Sequence, residues 1–279
     1  MKKIVAAFDG LKFSESLASY AIELARLEKV DLTGVSLEDL TYRSFKFYDI
    51  VDEEKGVSDS KMKELMDKDK QTRSLSVIKF GAMCENAGIK YTIHHDTNIA
   101  IQELLRESIY ADLLIINSGE TLTHYPENRP TRFIRDLLTD VESPVLLVPD
   151  EYKPIEKIFL LYDGEPSSVF AIKMFSYMLD KLKSLPIEVV VVKRPGQENL
   201  PDNKLMKEFM KNHFPETFYT VLNGWPEEEI ITHIKKSKQN SLIVLGAYRR
   251  GRISRWFRES MADVLLKQLK QPLFIAHTR

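Results

Sequence analysis

The chain has 279 residues, 43% hydrophobic and 29% charged, with 40 basic against 41 acidic side chains and a formal net charge of −1. That balance excludes a global attraction to nucleic acid or anionic membrane, and one cysteine, Cys84, excludes an internal disulfide framework or a cysteine zinc site. The length suits two domains of ordinary size. The N-terminal apolar run stops at Asp9 after five residues, too short for the core of a signal peptide. No apolar stretch approaches the ~18–20 residues of a membrane helix, so a cytoplasmic protein is expected.

Taken in chain order, residues 3–8 form an apolar run without polar alternation, which predicts a parallel strand covered on both faces. Asp9-Gly10 ends it, and Ser14 is the expected N-cap of a helix over 15–28 with Leu17, Ala21, Leu24 and Ala25 on one face. A second strand is predicted over 30–38. The stretch 39–75 is irregular and then highly charged, and is expected to combine a loop with the start of a long exposed helix that runs through about Ala87 and that Gly88 ends. IKYTIH reads as a third strand, 99–110 as a helix, 111–116 as a strand, 132–141 as a helix and 144–149 as a fifth strand. PDEYKP (149–154) is a short polar linker. Beyond it the order repeats, with strands at 157–162, 187–193, 217–222, 241–245 and 272–276. The helices between them are expected at 167–182, 202–212, 226–237 and 259–269. This alternation implies, twice over, a doubly wound α/β fold with a five-stranded parallel sheet between helices.

The repetition is visible in the residues themselves. KIVAAFD at 3–9 continues into Gly10, and KIFLLYD at 157–163 continues into Gly164. ADLLIINSGE (111–120) matches NSLIVLGAYR (240–249), and SPVLLVP (143–149) matches QPLFIAH (271–277), at offsets of 129 and 128 residues. Two tandem copies of one domain are therefore expected, over 1–149 and 154–279. A duplicated and fused dimer would keep a pseudo-two-fold seam, with the strands at 144–149 and 272–276 meeting near it. Val145, Leu147, Leu273 and Ile275 would lie close to that seam.

The second copy carries KIFLLYDG with Ser167 and Ser168, then GWPEEEII, LIVLGAYRRGRISRWFRESMADVLL and QPLFIAH. In these residues it resembles the universal stress protein family. The first copy matches by its ends and spacing. The resemblance implies a stress-response protein, members of which often pair through the fifth strand and some of which bind ATP. ATP-binding members carry Gly-x2-Gly-x9-Gly-Ser/Thr after the fourth strand, where glycines let the backbone approach phosphate and the following helix supplies its positive end. In those members the aspartate after the first strand contacts the adenosine.

Carried over to the second copy, Asp163, Gly246 and Ser260 stand on matching positions, while Arg249 and Glu259 replace two of the three glycines. Glu259 would repel phosphate by on the order of a few kcal/mol. Against that, Arg249, Arg250, Arg252, Arg255 and Arg258 place five guanidiniums in ten residues, a ready anion cluster, and Gly251 restores flexibility one step later. The bland alternative is a solvated basic loop, or one paired with Glu227, Glu228 and Glu229. The candidate ligand residues are Asp163, Gly246, Arg249, Arg250 and Ser260, with ATP or another phosphorylated ligand as the candidate. In the first copy Asn117, Glu120 and Thr131-Arg132 occupy the corresponding positions. The glycine signature is gone and Gly119 alone does not replace it, so no nucleotide is expected there, and Asp9 is expected to cap the following helix.

Other chemistry reads as structural. His94-His95-Asp96 resembles a metal cluster, but adjacent strand residues point to opposite faces. Cys84 reads as a packed thiol, and Trp225 and Trp256, which flank the site, read as packing aromatics, with stacking on a base as the alternative. Phe45, Phe47 and Tyr48 are expected to cover the first copy, or else to meet a partner protein. No general base or metal carboxylate pair is evident beside the second-copy site. The chain therefore reads as a binding protein. The alternatives are a slow ATP-hydrolysing or phosphotransfer enzyme on the same fold, and a scaffold that holds an anionic partner with the arginine loop.

Overall fold

The computed structural model of the chain describes residues 1–39, 42–52, 56–123, 125–193, 203–246 and 260–277. The first half runs β1 (Lys3–Asp9), α1 (Glu15–Glu28), β2 (Asp31–Asp39), a short hairpin of β3 (Val51–Asp52) and β4 (Gly56–Val57), α2 (Asp59–Asn86) and β5 (Tyr91–Asn98). It continues with α3 (Ala100–Ile109), β6 (Leu113–Asn117), α4 (Arg132–Asp140) and β7 (Val145–Val148). The second half runs β8 (Lys157–Leu161), α5 (Pro166–Met178), β9 (Ile187–Lys193), α6 (Asn203–His213) and β10 (Thr217–Asn223). It ends with α7 (Pro226–Lys236), β11 (Ser241–Gly246), α8 (Met261–Gln268) and β12 (Leu273–Ala276).

Ten of these strands make one sheet, in the order β10-β9-β8-β11-β12-β7-β6-β1-β2-β5. Every pairing is parallel except that of β12 with β7, which are antiparallel with Leu273 opposite Leu147 and Ile275 opposite Val145. The two five-stranded halves therefore meet where their last strands pair. The strands read as apolar runs because helices cover both faces of the sheet. One face carries α1, α2, α5 and α6 over a core that includes Phe8, Leu146, Phe175 and Phe274. The other carries α3, α4, α7 and α8 over Val5, Leu147, Phe159 and Ile275. Both cores run across the seam without a break. The segment after β7 is held there too: Tyr152 donates to Glu23 at 2.7 Å, and Asn240 donates to the Lys153 carbonyl at 2.8 Å.

Local signals explain the helix ends. Ser14 caps α1, its hydroxyl accepting from Leu17 N at 3.2 Å, and Lys29 closes the helix in the left-handed region at φ 55°. Burying a side chain such as Leu24 there contributes about 1.5–3 kcal/mol. The charged insertion is more ordered than its composition suggests. Ser58 caps α2, whose 28 residues begin inside the charged stretch. The expected cover by aromatics is a correction: Phe47 and Tyr48 are exposed, and Tyr42 is the buried aromatic of that segment. Cys84 is fully buried, as a packed thiol should be, and burial, followed by the charge of Glu85, pushes its pKa up to about 11. Among the described residues no helix is long and apolar enough to cross a membrane.

Candidate functional site

In a doubly wound sheet, ligands bind outside the carboxyl ends of the strands where successive connections part to opposite sides. In the first half that point lies between β1 and β6, at Asp9 and Asn117. In the second it lies between β8 and β11, at Asp163 and Gly246. Because β7 and β12 run antiparallel, the two crevices open at opposite edges of the ten-stranded sheet.

Asp163 is exposed and accepts a hydrogen bond from Glu165 N at 2.9 Å, with Gly164 turning the chain at φ 86°. Gly246 is required by packing, since a β-carbon there would lie 2.3 Å from the carbonyl carbon of Ser167. Ser167 and Ser168 lie in the first turn of α5, and the Ser168 hydroxyl donates to the Glu165 carbonyl at 2.9 Å. Ser260 caps α8 in a reciprocal box: its hydroxyl accepts from Asp263 N at 3.2 Å, and the Asp263 carboxylate accepts from Ser260 N at 3.3 Å. Trp225 is exposed at the start of α7. Arg249, Arg250, Gly251, Arg252, Arg255, Trp256, Arg258 and Glu259 lie outside the described residues.

At the first crevice the aspartate is covered by the chain's own side chains, and a cavity of about 380 Å³ remains beside it, lined by Lys12, Ser14, Asn117, Gly119 and Glu120 among others. Asp9 is fully buried, and its Oδ1 accepts from Leu11 N at 2.7 Å. The expected helix cap is thus corrected: Ser14 caps α1, and Asp9 closes the two-residue turn that leaves β1. Helix α2 lies over this corner. Ser76 donates to the Gly10 carbonyl at 2.7 Å, and a β-carbon on Gly10 would sit 3.0 Å from Cγ of Arg73. The buried Arg73 guanidinium donates to the Tyr42 carbonyl at 3.2 Å and pairs with Glu38 at 3.5 Å. Lys12 reaches the Thr123 carbonyl and lies 5.3 Å from the centre of the Tyr42 ring.

Glu120 is buried in the same place and accepts from Thr121 N and Leu122 N at 2.9 and 3.0 Å. Burial, and then the charge of Asp9, pushes its pKa up to about 7. Burial likewise raises Asp9, against the backbone donors and the cations Lys12 and Arg73. Asp9 Oδ2 and Arg73 Nη1 are buried without a protein partner. Beside them, between α2 and the ends of β2 and β5, is a cleft of about 420 Å³ lined by charges of both signs, among them Glu38, Arg43, Asp69 and Arg73.

The model of the universal stress protein family matches residues 178–277. Over those residues the chain is similar to the universal stress protein family. The match takes in Gly246 and Ser260 and begins beyond Asp163. No protein of curated function matches the sequence. Among solved structures, a universal stress protein from Archaeoglobus fulgidus DSM 4304 superposes with a TM-score of 0.70 at 13% identity, covering 99% of this chain and 98% of that one. A functionally unknown protein from Pseudomonas aeruginosa PAO1 superposes with a TM-score of 0.62, also at 13% identity, covering 99% and 92%. At such identities the likeness is one of fold, and it extends across both halves of the sheet.

Asp163 presents an exposed acceptor suited to ribose hydroxyls. The α8 terminus does not suit a triphosphate, because Ser260 is engaged in its own cap and the Asp263 carboxylate already occupies the positive end of the helix. The histidines behave as the strand alternation predicts: His94 pairs with Glu107 at 2.6 Å, and the exposed His95 lines the cleft beside α2. Among the described residues no cluster of three or more metal-type ligands forms. The sequence reading did not find Arg73, which reads as one more solvated charge on a charged helix and gains its meaning only by contact with Gly10. It also did not find the burial of Glu120.

Proposed function

We propose that this chain is a tandem universal stress protein, with domains over 1–149 and 154–279, that acts by binding rather than by catalysis. Its ligand site is the carboxyl edge of the second half, and its ligand is a nucleotide or another small phosphorylated molecule. The observation that carries this reading is the contrast between two carboxylates at corresponding strand ends: Asp163 is exposed, whereas Asp9 is buried beneath Arg73. A ligand at the second crevice meets an available acceptor. At the first it would have to displace a guanidinium and break its bond to Tyr42. The residues around Asp163 serve turns, caps and packing, which suits holding a ligand. Arg249 and Arg250 are the forked donors the sequence offers for phosphate. The capped and acidic start of α8 favours a ligand with fewer phosphates than ATP.

Calorimetric titration of the full chain with ATP, ADP, AMP and pyrophosphate tests the reading. Heat with at least one of them, reduced by Asp163→Ala, supports it. Silence toward all four refutes it. Sustained phosphate release from bound ATP would refute the choice of binding over catalysis.

A further inference from the structure

The outermost strand of the second half, β10, has the sequence Thr-Phe-Tyr-Thr-Val-Leu-Asn. It holds no Lys, Arg, Asp, Glu, Pro or Gly over seven residues, so it has none of the usual devices that keep a sheet edge from pairing. Among the described residues its only ladder partner is β9. Its apolar side chains are exposed on both faces of the sheet. The register with β9 sets Tyr219 and Val221 on the face of Val189 and Val191, and Phe218 and Leu222 on the face of Glu188 and Val192. Phe218 is 72% exposed, Tyr219 43% and Val221 41%. A ligand groove would explain exposure on one face, but exposure on both is what a missing neighbouring strand leaves behind. The opposite edge, β5, carries instead His94, paired with Glu107, and His95.

The order of residues in β10 says which strand fits. Placed antiparallel to itself with the two-fold axis at Thr220, it sets Phe218 opposite Leu222, Tyr219 opposite Val221, Thr217 opposite Asn223 and Thr220 opposite Thr220. Each is an aromatic–aliphatic, aromatic–β-branched or polar pair of the kind that stabilises antiparallel ladders, and no like charges face one another. The opposed residues also share a face, so both exposed apolar sets are covered at once. The chain already joins two half-sheets by an antiparallel pairing of apolar strands at β7 and β12. We propose that two copies of this chain associate through β10, antiparallel about an axis at Thr220, so that the two ten-stranded sheets become continuous.

A charge-swap experiment on the full chain tests this. The unaltered protein should sediment with twice the mass of one chain. Tyr219→Lys/Val221→Lys places lysine opposite lysine twice across the axis and should sediment as a single chain, as should Tyr219→Glu/Val221→Glu. Mixing the two variants should restore the dimer, an outcome that a merely structural defect cannot produce. As a second measurement, Thr220→Cys oxidised with glutathione disulfide should give a covalent dimer far faster than Tyr110→Cys, an exposed position distant in sequence from the strand. A monomeric native chain, a dimer that survives the lysine variant, failure of the mixture to dimerise, or cross-linking no faster than at Tyr110 would each overturn the proposal.

Discussion

Arg73 and Gly10 occupy adjoining space, with room for little more than the glycine hydrogen: an added β-carbon would lie 3.0 Å from Cγ and 3.3 Å from Cβ of the arginine. This contact is how the charged helix α2 covers the corner beside Asp9. Arg73→Ala removes a donor from the Tyr42 carbonyl and the partner of Glu38. Because Glu38 is one-third exposed, its share is screened. The expected loss is about 2 kcal/mol in urea unfolding, and a change below about 0.5 kcal/mol would mean that the guanidinium does not hold the corner.

Glu120 supplies a pH test. Its folded pKa, about 7, stands above the ordinary 4.5, so the folded state holds the proton more tightly than the unfolded chain does. The stability linked to this proton is complete below about pH 4.5 and is lost as the pH rises to about 7. Glu120→Gln keeps an acceptor for Thr121 N and Leu122 N but cannot ionise. Relative to the native chain, the variant should gain stability steadily across that window, reaching on the order of 2 kcal/mol near pH 8. A difference between the two proteins that is flat with pH would contradict a carboxyl buried beside the charge of Asp9.

Two glycines that the sequence associates with phosphate have different structural roles. At Gly246 a β-carbon would collide with the Ser167 and Ser168 backbone at 2.3–2.7 Å, which cannot move aside without moving α5. At Gly119 it would meet the far end of the Arg129 side chain at 2.8 Å, which can swing away. Gly246→Ala should therefore cost about 3 kcal/mol or more and Gly119→Ala less than about 1 kcal/mol. Thermal denaturation of the two variants, with equal losses, would contradict the assignment of Gly246 to packing.

The sheet was legible in the sequence because buried parallel strands leave apolar runs that neither loops nor amphipathic helices imitate. IEVVVVK gives the bounds of β9 directly, and Ser14 and Gly88 mark real helix ends. The start of α2 was not legible. Most of its 28 residues face solvent, and those it buries include Asp69, Arg73 and Ser76, so no apolar period marks it. The same reason hid the cover over Asp9, since nothing local distinguishes Arg73 from its charged neighbours. At the second crevice Asp163 could be found by comparing the copies, because the aspartate-glycine pair recurs. Its exposure could not be found that way, because it depends on what lies above it in the fold.

The central claim is that the ligand site lies at Asp163 and not at Asp9. The most direct measurement is a calorimetric titration of the full chain, Asp163→Ala and Asp9→Asn with whichever of ATP, ADP, AMP or pyrophosphate gives the largest heat. The account predicts that Asp163→Ala weakens binding at least about tenfold, or 1.4 kcal/mol, and that Asp9→Asn leaves it within about twofold. Binding that survives Asp163→Ala and is lost with Asp9→Asn would contradict it.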